Sequence, residues 1–126
     1  MYRVELTCAE DASFKAKSKD YEFIIGTKGK GMAPPDVLLA SLGSCIGVYL
    51  RKYCAGANLA CQDFSITVEA DFSQEALVCF REIKVTVNLK GASLDARRKE
   101  ALVTFIKNCP VHNTLKASPQ MEIKIT

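Results

Sequence analysis

The apolar stretch over residues 34–54 limits the possible folds most. No charged residue occurs over residues 37–50, and the apolar side chains fall on every side of a helical wheel. A helix that is apolar all round is normally buried. Asp36 and Arg51 bracket the run too closely for a membrane span of about 20 residues. The stretch therefore predicts a buried core helix with Cys45 inside the protein.

The two ends of this stretch carry helix signals. Pro34 suits a first helical turn, and the Asp36 carboxylate lies where it complements the positive end of the helix macrodipole. A stripe of small residues at spacings of three and four follows: Ala40, Gly43, Ser44 and Gly47. Two glycines inside one helix cost about 1 kcal/mol each relative to alanine, so a close contact must compensate. Either a second copy of the helix or a strand of the same chain would supply it.

Composition excludes several classes of protein. The 126 residues fit one domain, residues 1–126, and 48% hydrophobic with 25% charged residues is ordinary for a globular protein. A net charge of +3, with Lys and Arg spread along the chain, lacks the electrostatic footprint of a nucleic-acid binder. The beginning, MYRVELTCAED, has acidic residues where a signal peptide needs an apolar stretch. We therefore expect a cytoplasmic protein.

Hydrophobic periodicity predicts the remaining elements. Alternation predicts strands over residues 2–8, 13–17, 21–25, 64–72, 83–90 and 121–125. An amphipathic helix begins after Ser93 or Asp95, and a short helix begins near Pro110. The glycine-rich residues 26–32 lack the ending of a phosphate-binding loop, which favours a flexible connector. The order predicts an α+β domain with helices on one side of a largely antiparallel sheet.

Six cysteines occur, at positions 8, 45, 54, 61, 79 and 109, and no CxxC pair is among them. In a reducing compartment they are not expected to form a structural disulfide framework. Their scatter also argues against a ribbon-type zinc site. They are free thiols, metal ligands or redox catalysts, and we expect Cys8, Cys54, Cys61 and Cys79 to be packing residues.

Cys109 is placed near the N-cap of the short helix, where amide dipoles lower the pKa of a thiol. His112, one turn on, could contribute when protonated. Cys45 lies in mid-helix and needs a cationic or hydrogen-bonding neighbour from elsewhere. A Cys–His hydrolase would need an oxyanion hole that nothing in the sequence places, and zinc at Cys109 and His112 would need two further cysteines. The residues alone leave two special cysteines without an assigned reaction.

Two segments, PDVLLASLGSC at 35–45 and NCPVHNTL at 108–115, closely resemble the OsmC/Ohr family of osmotically inducible and organic-hydroperoxide-resistance proteins, in its OsmC-like branch. The resemblance extends over nearly the whole chain in the order of strands and helices. It implies an α+β OsmC-like fold with antiparallel sheets around a long buried central helix. It also implies an intertwined homodimer.

The resemblance further implies a thiol-dependent hydroperoxide reductase, a two-cysteine peroxidase that acts on organic hydroperoxides in oxidative stress defence. Cys45 would be the peroxidatic thiolate and Cys109 the resolving thiol, with an external thiol or dithiol as reductant. Metal, organic cofactor, nucleic acid and membrane are not expected to take part.

The family's activating residues match this chain incompletely. Lys15 and Lys17 lie in the first strands where the resemblance implies an arginine, and Asp36 follows Pro35 at the position of an acidic residue. Asp36 is either a catalytic residue or a plain helix-start residue. The alternative from a different class is a non-catalytic OsmC-like redox sensor or a protein that binds a small apolar ligand.

Overall fold

The computed structural model of the chain describes residues 1–61 and 63–126. Five strands and three helices follow one another in these residues: β1 Glu5–Cys8, β2 Phe14–Ser18, β3 Tyr21–Ile25, α1 Pro34–Gly56, β4 Ser65–Phe72, β5 Phe80–Asn88, α2 Ala96–Ile106 and α3 Pro110–Ala117. Both sheets are antiparallel, one with three strands and one with two. The fold is therefore mixed α+β. The chain forms two compact units, residues 1–40 and 41–126.

The N-terminal unit is the meander β1-β2-β3. Strand β3 has the predicted bounds, and β2 begins one residue later than predicted. The glycine-rich connector after β3 is closed by hydrogen bonds, because Gly26 N–H donates to the Met32 carbonyl at 3.1 Å. Lys30 Nζ also donates to Asp11 Oδ2 at 2.7 Å. Hydrogen bonds from Lys30 and Ser13 hold the pKa of Asp11 well below its usual range.

Helix α1 begins at the predicted Pro34 and ends at Gly56. Its buried positions recur at helical spacing: Leu42, Gly43, Ile46, Gly47, Leu50 and Cys54. The opposite side is open in the single chain, where Val48 is 51% exposed, and Leu38 near the start of the helix is 40% exposed. The expectation of a helix buried on every side is therefore wrong for one chain taken alone.

The glycines of α1 face strand β4 of the same chain. A Cβ at Gly43 would lie 3.0 Å from Cγ2 of Val68. A Cβ at Gly47 would lie 3.3 Å from Cδ1 of Ile66. Of the two contacts that the sequence left open, the strand is the one observed at both glycines. Helix and strand approach closely there because neither glycine has a side chain.

Strands β4 and β5 form the predicted long hairpin. Its apolar pairs include Ile66 opposite Val87 and Val68 opposite Val85. The register shifts between Ala70 and Phe72, a bulge-like irregularity. Strand β5 begins three residues earlier and ends two residues earlier than predicted. The inner face of this hairpin supports the helices.

Helix α2 covers that face. Asp95, one of the two predicted caps, is its N-cap, and its Oδ1 accepts from Arg98 N–H at 2.8 Å. The Phe105 ring packs against the rings of Tyr49 and Tyr53, with centroids 6.0 and 5.6 Å away. These aromatic contacts hold α2 against α1.

The strand predicted over residues 121–125 is wrong. After α3 the chain is irregular, and its apolar side chains are open, with Met121 85% and Ile125 97% exposed. Alternation predicts a strand only where a neighbouring strand pairs with it, and none does so in the described chain. Within residues 1–61 and 63–126, no helix is long and apolar enough to cross a membrane.

Candidate functional site

Cys109 is the N-cap of α3, as the sequence predicted. Pro110 begins the helix without needing a hydrogen-bond partner for its nitrogen, and the fixed proline φ suits that position. The Sγ atom of Cys109 accepts a hydrogen bond from the His112 backbone N–H at 3.4 Å. The Cys109 side chain has no exposed surface. The local sequence thus turns this sulfur inward, toward the rest of the residue 41–126 unit.

Cys45 and Cys109 meet in one apolar cluster. Leu42 and Ile46, one turn of α1 apart, are buried against Cys109, and the half-buried Cys45 packs against the same group. Cys45 lies close enough to influence the pKa of the Cys109 thiol. Two cysteines separated by 64 positions in the sequence are therefore brought together.

The protonation of Cys109 differs from the expectation. Burial raises the pKa of the Cys109 thiol, and the hydrogen bond with Cys45 raises it further. The backbone N–H groups of His112 and Val111 act in the opposite direction but do not outweigh burial. The helix amides thus lower the Cys109 pKa as predicted, but burial outweighs them, so the expectation of a pKa below the ordinary value is wrong. A raised pKa favours the protonated thiol at Cys109.

The other expected site residues lie in helices α1 and α3 and in strand β2. Asp36 lies in the first turn of α1 with an exposed side chain, which suits a helix-start residue. The His112 ring is half-buried, and its Nδ1 lies 3.4 Å from Oδ1 of Asn113. Lys15 and Lys17 are exposed residues of β2.

Cys54 and Cys61 form a disulfide, with their Cα atoms 6.0 Å apart. Both are buried in a second apolar cluster with Leu50, Leu94 and Leu102. The expectation that these two cysteines are unbonded packing residues is therefore wrong. The available signal was the helix stop between them, because the chain turns back at Asn58, which has φ +54°.

Solved structures share this fold. An OsmC like protein from Mycoplasma pneumoniae matches with a TM-score of 0.80 and 21% identity, over 92% of this chain and 87% of that chain. A hypothetical protein from Aquifex aeolicus VF5 matches with 0.79 and 24%, over 95% and 90%. The organic hydroperoxide resistance protein OhrB of Bacillus subtilis matches with 0.66 and 16%, over 92% and 90%. At these identities the likeness shows the fold alone.

Sequence comparison gives the family directly. No curated protein matches the chain significantly. The model of the family described as OsmC-like protein matches residues 27–124, which include the segments around both Cys45 and Cys109. The chain therefore belongs to the OsmC-like protein family.

Proposed function

We propose that this protein is a thiol-dependent reductase of organic hydroperoxides, with Cys45 as the peroxidatic and Cys109 as the resolving cysteine. The observation that supports the proposal is that Cys45 and Cys109 belong to one apolar cluster. Fold relatives include proteins described as organic hydroperoxide resistance proteins, from Legionella pneumophila and Bacillus subtilis.

The first step consumes the peroxide. The Cys45 thiolate attacks one oxygen of the O–O bond, which breaks with its electron pair going to the leaving alkoxide. The alkoxide takes a proton and leaves as the alcohol. Cys45 becomes a sulfenic acid, so sulfur is oxidised by two electrons and the peroxide is reduced by two.

The second step uses Cys109. While Cys45 is a thiolate, its charge and its hydrogen bond both raise the pKa of Cys109. Conversion of Cys45 to the neutral sulfenic acid removes both influences, while the N–H groups of His112 and Val111 continue to favour the Cys109 thiolate. Cys109 then attacks the Cys45 sulfur, a disulfide forms, and water leaves. The charge on Cys45 thus controls when its partner becomes reactive.

The third step restores the thiols. An external thiol or dithiol attacks the Cys45–Cys109 disulfide, and a second exchange releases both protein thiols with oxidation of the reductant. The site needs no metal or organic cofactor in this scheme. Its apolar neighbours, Leu42 and Ile46, favour an organic peroxide over hydrogen peroxide because an apolar substituent gains from leaving water.

The proposal includes a homodimer. Leu38 and Val48 of α1 are apolar and partly exposed in one chain, and the alternating apolar residues near the C-terminus are much more exposed. A second copy that covers these residues would remove apolar surface from water. Sedimentation velocity should give a particle of twice the chain mass, whereas a monomer at micromolar concentration would contradict this part of the proposal.

The peroxidase proposal is tested with one equivalent of cumene hydroperoxide added to the fully reduced protein. Peptide mapping after alkylation should find a new disulfide between Cys45 and Cys109, and release of one equivalent of cumyl alcohol should accompany it. The Cys45→Ser variant should consume peroxide at the rate of buffer. Free thiols at both positions in the treated wild type would overturn the proposal.

Two controls separate the roles. The Cys109→Ser variant should still consume one equivalent of peroxide and should accumulate a sulfenic acid that dimedone traps at Cys45. The Cys8→Ser variant, altered at an exposed cysteine, should behave as wild type. Stoichiometric oxidation without turnover in the presence of dithiothreitol would instead support a redox sensor.

A further inference from the structure

A groove of about 520 Å³ runs between strand β5 and helix α2, within the unit of residues 41–126. Its walls are apolar on both sides, with Val85 and Val87 from the strand and Val103 from the helix. No acidic side chain lines it in the described chain. Its size is in the range of small-molecule sites, about 300–1,000 Å³.

Lys99 of α2 and Lys107, the residue that caps the end of α2, line the same groove. Lys99, Val103 and Lys107 follow one another at intervals of four residues, so they share one side of the helix. Both lysines are exposed, and neither has an ion-pair partner among the described residues. The groove therefore combines an apolar wall with two unneutralised positive charges.

We propose that this groove binds an aliphatic carboxylate, with the acyl chain against Val85, Val87 and Val103 and the carboxylate paired with Lys99 or Lys107. Charge complementarity selects the anion, because the groove offers cations and no carboxylate of its own. The apolar walls select a hydrocarbon chain over a small inorganic anion. The site goes beyond the proposed peroxidase, since binding of the carboxylate involves no reaction.

The groove lies next to the cysteine pair. Ile46 and Ile106 line it, and both also pack against Cys109 in the cluster described above. A bound acyl chain would therefore extend the apolar surroundings of Cys109 on that side. The carboxylate site and the thiols remain separable, because neither lysine belongs to that cluster.

The test measures binding of three ligands with the same decyl chain by isothermal titration at pH 7.5. These are decanoate, decan-1-ol and decyltrimethylammonium, each below its solubility or micelle limit. Decanoate should bind about tenfold more tightly than decyltrimethylammonium, and affinity should rise about fourfold for each CH₂ added from hexanoate to decanoate. Equal affinity for the anion and the cation would overturn the proposal.

Variants that remove one positive charge identify the lysine that binds the carboxylate. Lys99→Gln and Lys107→Gln should each weaken decanoate binding about two- to fivefold and leave decan-1-ol unchanged. Lys84→Gln is the matched control, because Lys84 is an exposed lysine of β5 that does not line the groove. A loss as large in Lys84→Gln as in the Lys99 and Lys107 variants would contradict a specific site.

A bulky substitution tests the location. Val103→Trp should fill the groove and abolish binding of both decanoate and decan-1-ol. Thr104→Trp is the control on the same helix, since Thr104 is exposed and lies outside the groove. Circular dichroism and the unfolding midpoint should be alike in the two variants. Unchanged decanoate binding by a folded Val103→Trp protein would overturn the proposal.

Two measurements keep this proposal independent of others. The Cys45→Ser variant should bind decanoate as wild type does, so an inactive peroxidase with intact binding would refute only the proposed reaction. The affinity for decanoate should also be the same at protein concentrations below and above the concentration at which the protein associates with itself. If decanoate binding is lost as the protein associates, a second copy occupies the groove and the carboxylate proposal fails.

Discussion

The backbone N–H of His112 donates to the sulfur of Cys109 at 3.4 Å, yet the Cys109 pKa lies above its ordinary value. A helix N-terminus lowers the pKa of a thiol because it stabilises the thiolate. Burial raises the pKa because it disfavours the charged form, and the larger of the two effects decides the direction. Cys109 has no exposed surface, and Cys45 belongs to the same apolar cluster. The same cap that orients the thiol therefore does not ionise it in the resting protein.

The raised pKa of Cys109 predicts a pH dependence of stability. The folded state keeps this proton at pH values where the unfolded chain loses it, so the stabilisation is complete below the ordinary thiol pKa of about 8.5. It is lost as pH rises from there through the raised pKa. The difference in unfolding free energy between reduced wild type and Cys109→Ala should shrink by up to about 1.4 kcal/mol per pH unit over that range. Urea unfolding from pH 7.5 to 10 checks this, and a constant difference would contradict it.

The glycines of α1 should differ in their tolerance of alanine. At Gly43 a methyl group meets Cγ2 of the stiff Val68 at 3.0 Å, so Gly43→Ala should destabilise by about 1–3 kcal/mol. At Gly47 the neighbour is the flexible end of Ile66 at 3.3 Å, and a gain of up to about 1 kcal/mol in helix propensity offsets the crowding.

Gly56 is the matched control for these substitutions, because no atom lies within 4 Å of a Cβ built there. Thermal and urea unfolding should rank the alanine variants Gly56, Gly47, Gly43 from most to least stable. A Gly43→Ala protein as stable as the Gly56→Ala protein would show that β4 does not approach α1 as closely as described.

The Cys54–Cys61 disulfide should be measurable by counting thiols. Alkylation of the protein, unfolded without a reductant and before any peroxide treatment, should label four of the six cysteines. Breaking a bond that closes a loop of about eight residues should lower the unfolding free energy by about 2–3 kcal/mol. The Cys54→Ala/Cys61→Ala double variant should not respond to reductant, whereas Cys8→Ala/Cys79→Ala should respond as wild type does. Six labelled cysteines would contradict the bond.

The cap of α2 should contribute a measurable amount of stability. Asp95→Ala leaves the Arg98 N–H without its acceptor, and we expect a loss of about 1 kcal/mol. Asp95→Asn retains a side-chain oxygen at the cap and should lose much less. Urea unfolding of the three proteins at pH 7 compares them, and equal losses in the alanine and asparagine variants would assign the effect to charge rather than to capping.

Local chemistry made part of this fold predictable. Pro34 begins a helix because its fixed φ and missing N–H suit a first turn, and Asp95 and Cys109 cap helices because their side chains accept from free amides. Strand β3 follows from its own alternation and the turn before it. Each of these depends on residues close together in the sequence.

The remaining features depend on distant residues. The direction of the Cys109 pKa follows from how completely α1 covers it, which no property of the NCPVH segment reveals. The Cys54–Cys61 bond depends on the path of a loop, and residues 121–125 fail to form a strand because alternation does not provide a partner. Periodicity does not predict that Cys45 and Cys109 share a cluster, and only the family resemblance implies that the two cysteines act together.

The two apolar clusters divide the residue 41–126 unit into a part that holds the disulfide and a part that holds the free thiol pair. Ile106 packs against both. Substitutions in the disulfide cluster can therefore change the thermal stability of the protein without altering the reactivity of its thiol pair. Evolution can adjust thermal stability and thiol reactivity separately. Ile106 is the exception because it contacts both clusters, so a protein engineer who seeks a more stable protein should not substitute it.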